Sequence, residues 1–276
     1  MKPDRRRVAL AFALVGVVSA AGCGLTPSSR PSSPEPSRFT RTEAAATTPS
    51  VAPYAVDAPG RTVAVAPRPT TGAGITTFAD SFGFYASVCT LGFFARYPNG
   101  QVVAFTAGHC ADLARQARPD DAPVARYLTS ASRSTAFGEY IKATRTRRGQ
   151  DIAIIQVLGA DVRAVADAIG PVTGYSTAAE LRDGRPEICI VGARTGRSCG
   201  VFDTIDGRRV TWAGTPAVEG DSGGPVYARW PDGTFTAVGV VNSVHTRADG
   251  TGTGGGSGTL VADDILANSM TLMGTT

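Results

Sequence analysis

Short hydrophobic runs separated by turn residues dominate the chain after residue 72. The runs are rich in Val, Ile, Phe, Tyr and Thr, a pattern typical of β-strands joined by tight turns. Asn99-Gly100 supplies the residues that a tight hairpin needs, so its flanking runs form the clearest hairpin. Helical periodicity is confined to 161–169 and 263–272, and the second favours a carboxy-terminal helix. The pattern predicts an all-β sandwich or barrel with strands at 82–96, 102–106, 152–158, 187–191, 209–212, 224–229 and 237–241.

The first 22 residues have the pattern of an export signal. A basic start is followed by an apolar run at 8–21, which is shorter than the roughly 20 residues of a membrane-spanning helix. The run ends in Ala20-Ala21-Gly22-Cys23, which resembles a bacterial lipobox. We therefore expect Cys23 to be lipidated after cleavage, with ordinary cleavage after a small residue as the alternative. Either way the protein is expected to be exported, as a lipoprotein at the outer face of the membrane or cell wall, or secreted.

Residues 23–71 differ in composition from both neighbours. Nine of the chain's 18 prolines lie between 24 and 71, among many Ser, Thr and Ala residues. Such sequence stays extended and buries little apolar area, so we predict a disordered, semi-rigid tether at 23–71. A cleaved pro-segment is the alternative, although the segment lacks a core pattern of its own.

Composition and charge narrow the functional classes. The chain is 42% hydrophobic and 18% charged, which provides enough apolar material for a folded core. The formal charge is +4, and the export signal alone carries +3 of it. The remainder is nearly neutral and gives no indication of nucleic-acid binding, which needs clustered basic surface.

Four cysteines remain when Cys23 is set aside, an even number that suits disulfides in an oxidising compartment. We predict Cys89 with Cys110 and Cys189 with Cys199, because each pair closes a short loop within one local β unit. A zinc site is the weaker alternative, since no CxxC spacing is present. No metal or organic cofactor is expected.

A serine between glycines, in the stretch Gly-Asp-Ser-Gly-Gly-Pro, carries the clearest chemical signal. The backbone N–H groups of Gly220 and Ser222 could point at one carbonyl oxygen and form an oxyanion hole. Ser222 needs a base, and His109 and His245 are the only histidines. His109 ends a predicted strand beside a predicted disulfide. Asp151 begins an apolar strand, where a carboxylate could orient an imidazole.

Three motifs, found in the order His, Asp, Ser, resemble the chymotrypsin-like serine peptidases and in particular their bacterial streptogrisin and α-lytic protease branch. They are TAGHC at 106–110, DIAI at 151–154 and GDSGGP at 220–225. Residues 189–200 resemble the disulfide-closed hairpin of that branch. The resemblance implies a single peptidase domain at 72–276 made of two packed antiparallel Greek-key β-barrels, at about 72–170 and 171–276, with a carboxy-terminal helix.

The resemblance also implies an activity and assigns roles. Ser222 would attack the scissile carbonyl, His109 would take and return its proton, and Asp151 would fix the imidazole tautomer. The backbone N–H groups of Gly220 and Ser222 would bind the oxyanion. The chain is then expected to be a serine endopeptidase that acts through an acyl-enzyme on a protein or peptide substrate, as a monomer.

Asp221 departs from the pattern of the family. In the bacterial branch, the carboxylate at this position is often held by an arginine just after the first cysteine of the hairpin. Here that position is Ile190. We expect Arg194 or Arg197, in the same hairpin, to pair with Asp221 instead.

Specificity is predicted from two segments that the family places around the primary pocket. The trypsin-type aspartate is replaced by Pro216, so a preference for Lys or Arg is not expected. At the substrate-pairing edge, Val244 would narrow the pocket mouth. We expect small or medium apolar side chains to be preferred. The pocket residues would be Pro216, Ala217, Val218, Glu219, Asn242, Ser243 and Val244.

Two rival functions belong to other classes. An esterase of the α/β-hydrolase type would use the same Gly-x-Ser-x-Gly elbow, but its triad order would require His245. A catalytically silent, protease-like binding module would bind ligands in the cleft without hydrolysing them. The glycine-rich run at 250–258 matches GxGxxG but lies in no βαβ unit, so we interpret it as a mobile loop near the pocket rim rather than a dinucleotide site.

Overall fold

The computed structural model describes residues 54–58, 61–76, 87–117, 123–166, 169, 172–246 and 252–275. Three helices lie among these residues: α1 (Gly108–Ala117), α2 (Ala178–Gly184) and α3 (Ala262–Ala267). The strands, in chain order, are β1 (Tyr54–Ala58), β2 (Arg61–Ala64), β3 (Gly74–Thr76), β4 (Cys89–Thr90), β5 (Phe94–Arg96), β6 (Val102–Thr106), β7 (Val124–Leu128), β8 (Ser134–Arg145), β9 (Asp151–Val157), β10 (Val172–Tyr175), β11 (Glu187–Gly192), β12 (Gly196–Asp206), β13 (Arg209–Ala213), β14 (Pro225–Arg229), β15 (Phe235–Thr246), β16 (Gly252–Leu260) and β17 (Thr271–Leu272).

The first large sheet curls into a half-barrel of eight strands in the order β17-β5-β6-β9-β8-β7-β3-β4. β5 and β6 form the hairpin predicted around Asn99-Gly100, and the Tyr97 N–H donates to the Gln101 carbonyl across the turn at 2.9 Å. Alternating apolar residues fill the inside of this sheet, because successive side chains of a strand point to opposite faces. The core side chains include Ile75, Leu91, Phe94, Phe137 and Ile155.

The second large sheet is a closed barrel of six strands, in which β15 pairs with both β14 and β16 and so joins the ends of the sheet. Its core is built around Trp212, which is 1% exposed. β10 runs parallel to β15 on the outside of the barrel. The packed side chains include Ile188, Phe202, Trp212, Val226 and Leu260. The all-β, two-barrel architecture with a carboxy-terminal helix is confirmed.

A third apolar cluster lies between the two barrels. Phe93 and Phe105 of the first sheet meet Tyr227 and Val240 of the second, and Ile265 of α3 packs on the same cluster. The rings of Phe93 and Tyr227 meet edge to face with centroids 5.0 Å apart. Since all five side chains are nearly fully buried, this interface stabilises the two barrels as one unit.

The glycine-rich run at 250–258 is not a loop where the structure describes it. Residues 252–258 belong to β16, which pairs with β13 and with β15. The indole of Trp212 packs directly on this strand, and a Cβ atom at Gly256 would lie 3.0 Å from Trp212 Cζ2. Glycine is used here because the ring needs the space, so the prediction of a mobile loop was wrong for these residues.

The amino-terminal edge of the folded part lies upstream of the boundary expected at 72. β1 and β2 form a hairpin inside the stretch predicted to be a tether, and Val63 is fully buried. The Ala64 N–H donates to the Ala193 carbonyl at 2.8 Å, and the Ala66 N–H donates to the Leu128 carbonyl at 2.9 Å. Burial of the apolar run at 63–66 offsets the conformational entropy lost on ordering, although prolines lie on both sides of the run. The export signal and Cys23 lie outside the described residues.

The helices differ from those expected. The described part of 161–169 contains no helix, and α3 ends at Ala267, before β17, rather than continuing to 272. α1 was not predicted. α2 was also missed, although Thr177 and Glu180 form a capping box that the sequence displays. None of the described helices is long and apolar enough to span a membrane.

Candidate active site

Two neighbouring strands bring His109 and Asp151 together. β6 ends at Thr106 and leads into α1, whose first turn carries His109. β9 begins at Asp151 and runs antiparallel to β6, with Thr106 opposite Ala153. In an antiparallel pair the end of one strand lies beside the start of the other. The imidazole and the carboxylate therefore meet at the same edge of the sheet.

Asp151 makes two hydrogen bonds to His109. Its Oδ1 accepts from the His109 backbone N–H at 2.8 Å, and its Oδ2 lies 2.6 Å from His109 Nδ1. An ionised carboxylate only accepts, so Nδ1 carries the hydrogen and Nε2 is left to accept a proton. Thr259 Oγ1 accepts from the Asp151 backbone N–H at 2.9 Å and ties this strand end to the second barrel. The Asp151 and His109 side chains are 14% and 26% exposed.

The loop that carries Ser222 lies between β13 and β14 and packs against the first sheet. The Thr90 N–H donates to the Ser222 carbonyl at 2.7 Å, and the Gly223 N–H donates to the Val241 carbonyl at 2.6 Å. Gly223 has a φ of +86°, and a Cβ atom there would collide with Thr106 Oγ1. Only glycine allows this conformation and this close approach. The loop is thereby held against the strand end that leads to His109.

Thr90 also fixes the peptide that follows Gly220. Its hydroxyl donates to the Gly220 carbonyl at 2.8 Å and accepts from the Ala193 N–H at 2.9 Å. Thr90 is fully buried, so no solvent competes for these bonds. Gly220 itself has a φ of +104°. This role could not be predicted from local sequence, because Thr90 lies 130 residues from Gly220.

Asp221 is fully buried and is held by four hydrogen bonds. Its Oδ1 accepts from the backbone N–H groups of Arg194 at 2.9 Å and Thr195 at 3.1 Å. Its Oδ2 accepts from the Thr195 hydroxyl and the Val218 N–H, both at 2.9 Å. Burial raises the pKa of Asp221 above its usual range, and the hydrogen bonds oppose that shift only in part.

The two arginines expected to pair with Asp221 direct their guanidinium groups elsewhere in the contacts that the structure describes. Arg194 contributes its backbone N–H to Asp221, while its Nη1 donates to the Thr62 carbonyl at 2.9 Å. The Arg197 guanidinium lies over the ring of Phe235 at 5.4 Å from the centroid. The hairpin therefore stabilises Asp221 through backbone donors and a hydroxyl.

The residues expected around the substrate pocket fall into three groups. Ala217 is buried in the core of the second barrel, and Val244 packs on the same core. Pro216 and Glu219 are exposed, Val218 is half-buried, and the Pro216 carbonyl accepts from the Ser198 hydroxyl at 3.0 Å. Asn242 and Ser243 instead line a pocket of about 340 Å³ beside Asp151.

In the part of the chain that the structure describes, two groups of residues lie close enough together to be metal ligands. One is Cys89, His109 and Cys110, and the other is Glu187 with Cys189 and Cys199. Both cysteine pairs form disulfides, in the pairing chosen from the sequence, so neither group offers the thiolates that bind zinc. The other histidine, His245, is exposed on β15 next to Gly255.

Comparison with solved structures defines the class of fold. A protease of Nocardiopsis matches 75% of this chain and 98% of its own, with a TM-score of 0.50 and 19% identity. Protease A of Thermobifida fusca matches 74% and 97%, with a TM-score of 0.51 and 20% identity. A glutamic acid specific serine protease matches 74% and 99%, with a TM-score of 0.52 and 18% identity. The chain has the fold of the bacterial chymotrypsin-like serine proteases, which confirms the resemblance at the level of the fold.

Two proteins of Mycobacterium tuberculosis are related in sequence. The uncharacterized protein MT1863 of strain CDC 1551 is 30% identical over 167 residues, which are 57% of this chain and 68% of the relative. The uncharacterized protein Rv1815 of strain H37Rv is 32% identical over 163 residues, with the same two shares, 57% and 68%. The chain belongs to the family of these mycobacterial proteins. No protein-family model matches it.

Proposed function

We propose that the protein is an exported serine endopeptidase that uses Ser222, His109 and Asp151. The observation that carries the proposal is the 2.6 Å contact between His109 Nδ1 and Asp151 Oδ2, which leaves Nε2 as a proton acceptor. Ser222 follows a buried aspartate in a loop held against the strand end that leads to His109. The fold, shared with bacterial serine proteases, supports the same conclusion.

The chemistry follows from these roles. Ser222 Oγ attacks the carbonyl carbon of the scissile bond while His109 Nε2 takes its proton. The backbone N–H groups of Gly220 and Ser222 stabilise the oxyanion, and His109 returns the proton to the leaving amine. A water molecule then attacks the acyl-enzyme carbonyl while His109 takes a proton from the water. His109 returns this proton to Ser222 Oγ as the acyl group leaves. Asp151 stays ionised and holds the imidazole in one tautomer.

Alanine variants test this proposal against its rivals. Hydrolysis of peptides by the purified protein should be abolished by Ser222→Ala and by His109→Ala and retained by His245→Ala. Loss with His245→Ala but not with His109→Ala would favour an esterase. A folded protein with no hydrolysis under any condition would favour a binding module.

The primary specificity is part of the proposal. Pro216 stands where a trypsin-like enzyme has an aspartate, and we propose that small or medium apolar side chains are preferred before the cut. A panel of peptides that differ only at that position tests this. A best substrate with Arg, Lys or Glu there would contradict it.

The cellular location is also proposed from the sequence. Residues 1–22 would direct export, and Cys23 would carry a lipid that anchors the chain outside the cell. The two disulfides support an oxidising compartment. Mass spectrometry of the protein from its native membrane would detect the lipid on Cys23, and a mature protein without Cys23 would contradict the anchor.

A further inference from the structure

The pocket of about 340 Å³ beside Asp151 is lined by residues of both barrels, and apart from Asp151 none of these residues takes part in the steps above. One wall is the turn between β8 and β9, and the other is formed by β13, β15 and β16. Its rim carries two arginines, Arg145 from the first sheet and Arg209 from the second. Arg209 reaches across to the turn, since a Cβ atom at Gly149 would lie 2.7 Å from Arg209 Cδ.

We propose that this pocket binds an acidic side chain of the peptide substrate, at a position outside the primary pocket. The inference rests on the proposed function and deepens it by naming a substrate class. The arginine guanidinium groups would donate charge-assisted hydrogen bonds to the substrate carboxylate, and such bonds are stronger than those between neutral groups.

Unpaired positive charge around the pocket supports an anionic ligand. Arg147 and Arg148 lie in the exposed turn next to the pocket, and Arg209 is half-buried. The structure records no ion pair or side-chain hydrogen bond for these three arginines among the residues that it describes. Arg145 differs, because its Nη1 already donates to Asp112 at 3.1 Å.

The two carboxylates that contact Arg145 are already engaged by other groups. Asp151 is held by His109, and Arg145 Nε lies 3.9 Å from Asp151 Oδ1. Asp112 contacts Arg145 and Arg115. Three arginines therefore remain to attract a carboxylate, and a half-buried guanidinium is less screened by water than an exposed one.

The strand geometry explains why the ligand would be a peptide. β15 pairs with β14 only as far as Val240, and the Val241 carbonyl accepts from the loop that carries Ser222. From Ser243 onward the described residues pair β15 only with β16, which leaves its other edge open. An extended peptide can add to such an edge. A substrate aligned there would pass from Ser222 to Ser243, which lines the pocket.

The test uses binding by the full-length Ser222→Ala protein, so that it does not depend on turnover. Fluorescent peptides carry one Asp at successive positions on either side of the scissile bond, each with an Asn twin, and affinity is measured by polarisation. At one or more positions outside the primary pocket, we expect the Asp peptide to bind about fivefold more tightly than its twin at low salt, and less so at about 0.15 M salt.

Variants locate the effect. Arg209→Gln should remove the Asp preference. The double variant Arg147→Gln/Arg148→Gln should reduce it, and because both residues lie in an exposed turn, this variant still tests the inference if Arg209→Gln folds poorly. Arg229→Gln is the matched control, because Arg229 pairs with Glu187 away from this pocket, and it should keep the preference. Equal binding of Asp and Asn peptides at all positions, or equal loss in the control, would overturn the inference.

The two proposals fail in different ways. If Ser222→Ala binds Asp peptides more tightly than Asn peptides but the wild type hydrolyses no peptide, the proposed peptidase activity is contradicted and the acidic-peptide site is not. A wild type that hydrolyses Asp and Asn peptides with equal kcat/KM, while binding shows no preference, would contradict only the site.

Discussion

One carboxylate, Asp151, holds both the backbone and the imidazole of His109. The backbone N–H of His109 belongs to the first turn of α1, where the N–H groups have no partner within the helix. Asp151 Oδ1 satisfies this donor and Oδ2 binds the ring. The same residue therefore positions the helix start and selects the tautomer.

Asp151→Asn should separate these two effects. The amide oxygen can still accept from the His109 N–H, but the amide nitrogen would face Nδ1 and favour the wrong tautomer. We expect kcat/KM to fall by about 10³- to 10⁴-fold with little change in stability. Asp161→Asn, at an exposed aspartate that contacts Arg68, is the matched control and should leave kcat/KM unchanged. Near-normal activity of Asp151→Asn would contradict the assigned role.

Asp221 makes stability depend on pH. Burial raises its pKa above its usual value of about 3.8, so the folded state holds the proton more tightly than the unfolded state. The stabilisation linked to this proton is complete below the unfolded pKa and is lost as pH rises through the folded pKa. The free energy of unfolding of the wild type should therefore fall, relative to Asp221→Asn, as pH rises from about 4. Urea unfolding across this range checks the difference, and a constant or rising difference would contradict it.

The residues of the proposed triad have short-range signals in the sequence. His109, Asp151 and Ser222 each stand in a motif whose neighbours already suggest the chemistry. Thr195 could not be predicted as a partner of Asp221, because it lies 26 residues away and meets the carboxylate only through the hairpin. The expected guanidinium partner was replaced by backbone donors, which a sequence does not distinguish from any others.

At the scale of elements, the short strand β4 links the first sheet to the nucleophile loop. Thr90 acts through both its backbone and its hydroxyl, and the hydroxyl bonds define the orientation of the peptide after Gly220. Thr90 is therefore a positioning residue for the proposed oxyanion hole.

Thr90→Val keeps the shape and the backbone bond to Ser222 but removes both hydroxyl bonds. We expect kcat to fall by about 10- to 100-fold, with little change in KM. This fall should not exceed the fall in kcat that follows removal of a direct oxyanion donor. Thr90→Ser should retain most of the activity, because it keeps the hydroxyl. Steady-state kinetics of both variants check this, and equal impairment of the two would contradict a role for the hydroxyl.

Elements were predictable where local pattern and tertiary packing agree. The hairpin at Asn99-Gly100 and the strand at β9 follow from turn chemistry and apolar runs. The glycine-rich β16 has little strand propensity and forms because Trp212 and two neighbouring strands cover it. α2 had a local signal in its capping box, whereas the start of α1 depends on Asp151, 42 residues away from His109.

At the scale of the whole molecule, the proposed chemistry depends on how the two barrels meet. Asp151 begins β9 of the first sheet, His109 lies in α1 just after β6 of that sheet, and Ser222 follows β13 of the second. The apolar cluster around Phe93 and Tyr227 lies between them. The two-barrel class was predictable from the motifs and their resemblance, but this particular interface was not, because its residues come from distant segments.

Phe93→Ala should therefore affect stability and activity together. We expect a loss of about 3–5 kcal/mol in the free energy of unfolding and a lower kcat/KM for the protein that remains folded. Phe137→Ala is the matched control, because Phe137 is equally buried but packs within the first barrel alone. It should cost similar stability with a smaller effect on kcat/KM. Equal kinetic effects of the two variants would contradict the importance of the interface.

The proposed chemistry requires Ser222 to be a nucleophile that His109 activates. The most direct test is to incubate the purified protein with a fluorophosphonate probe and to map the labelled residue by mass spectrometry, with folded His109→Ala as the control. We expect a label on Ser222 that disappears in the control. A folded wild-type protein that takes up no label, or a label on Ser222 that persists without His109, would contradict it.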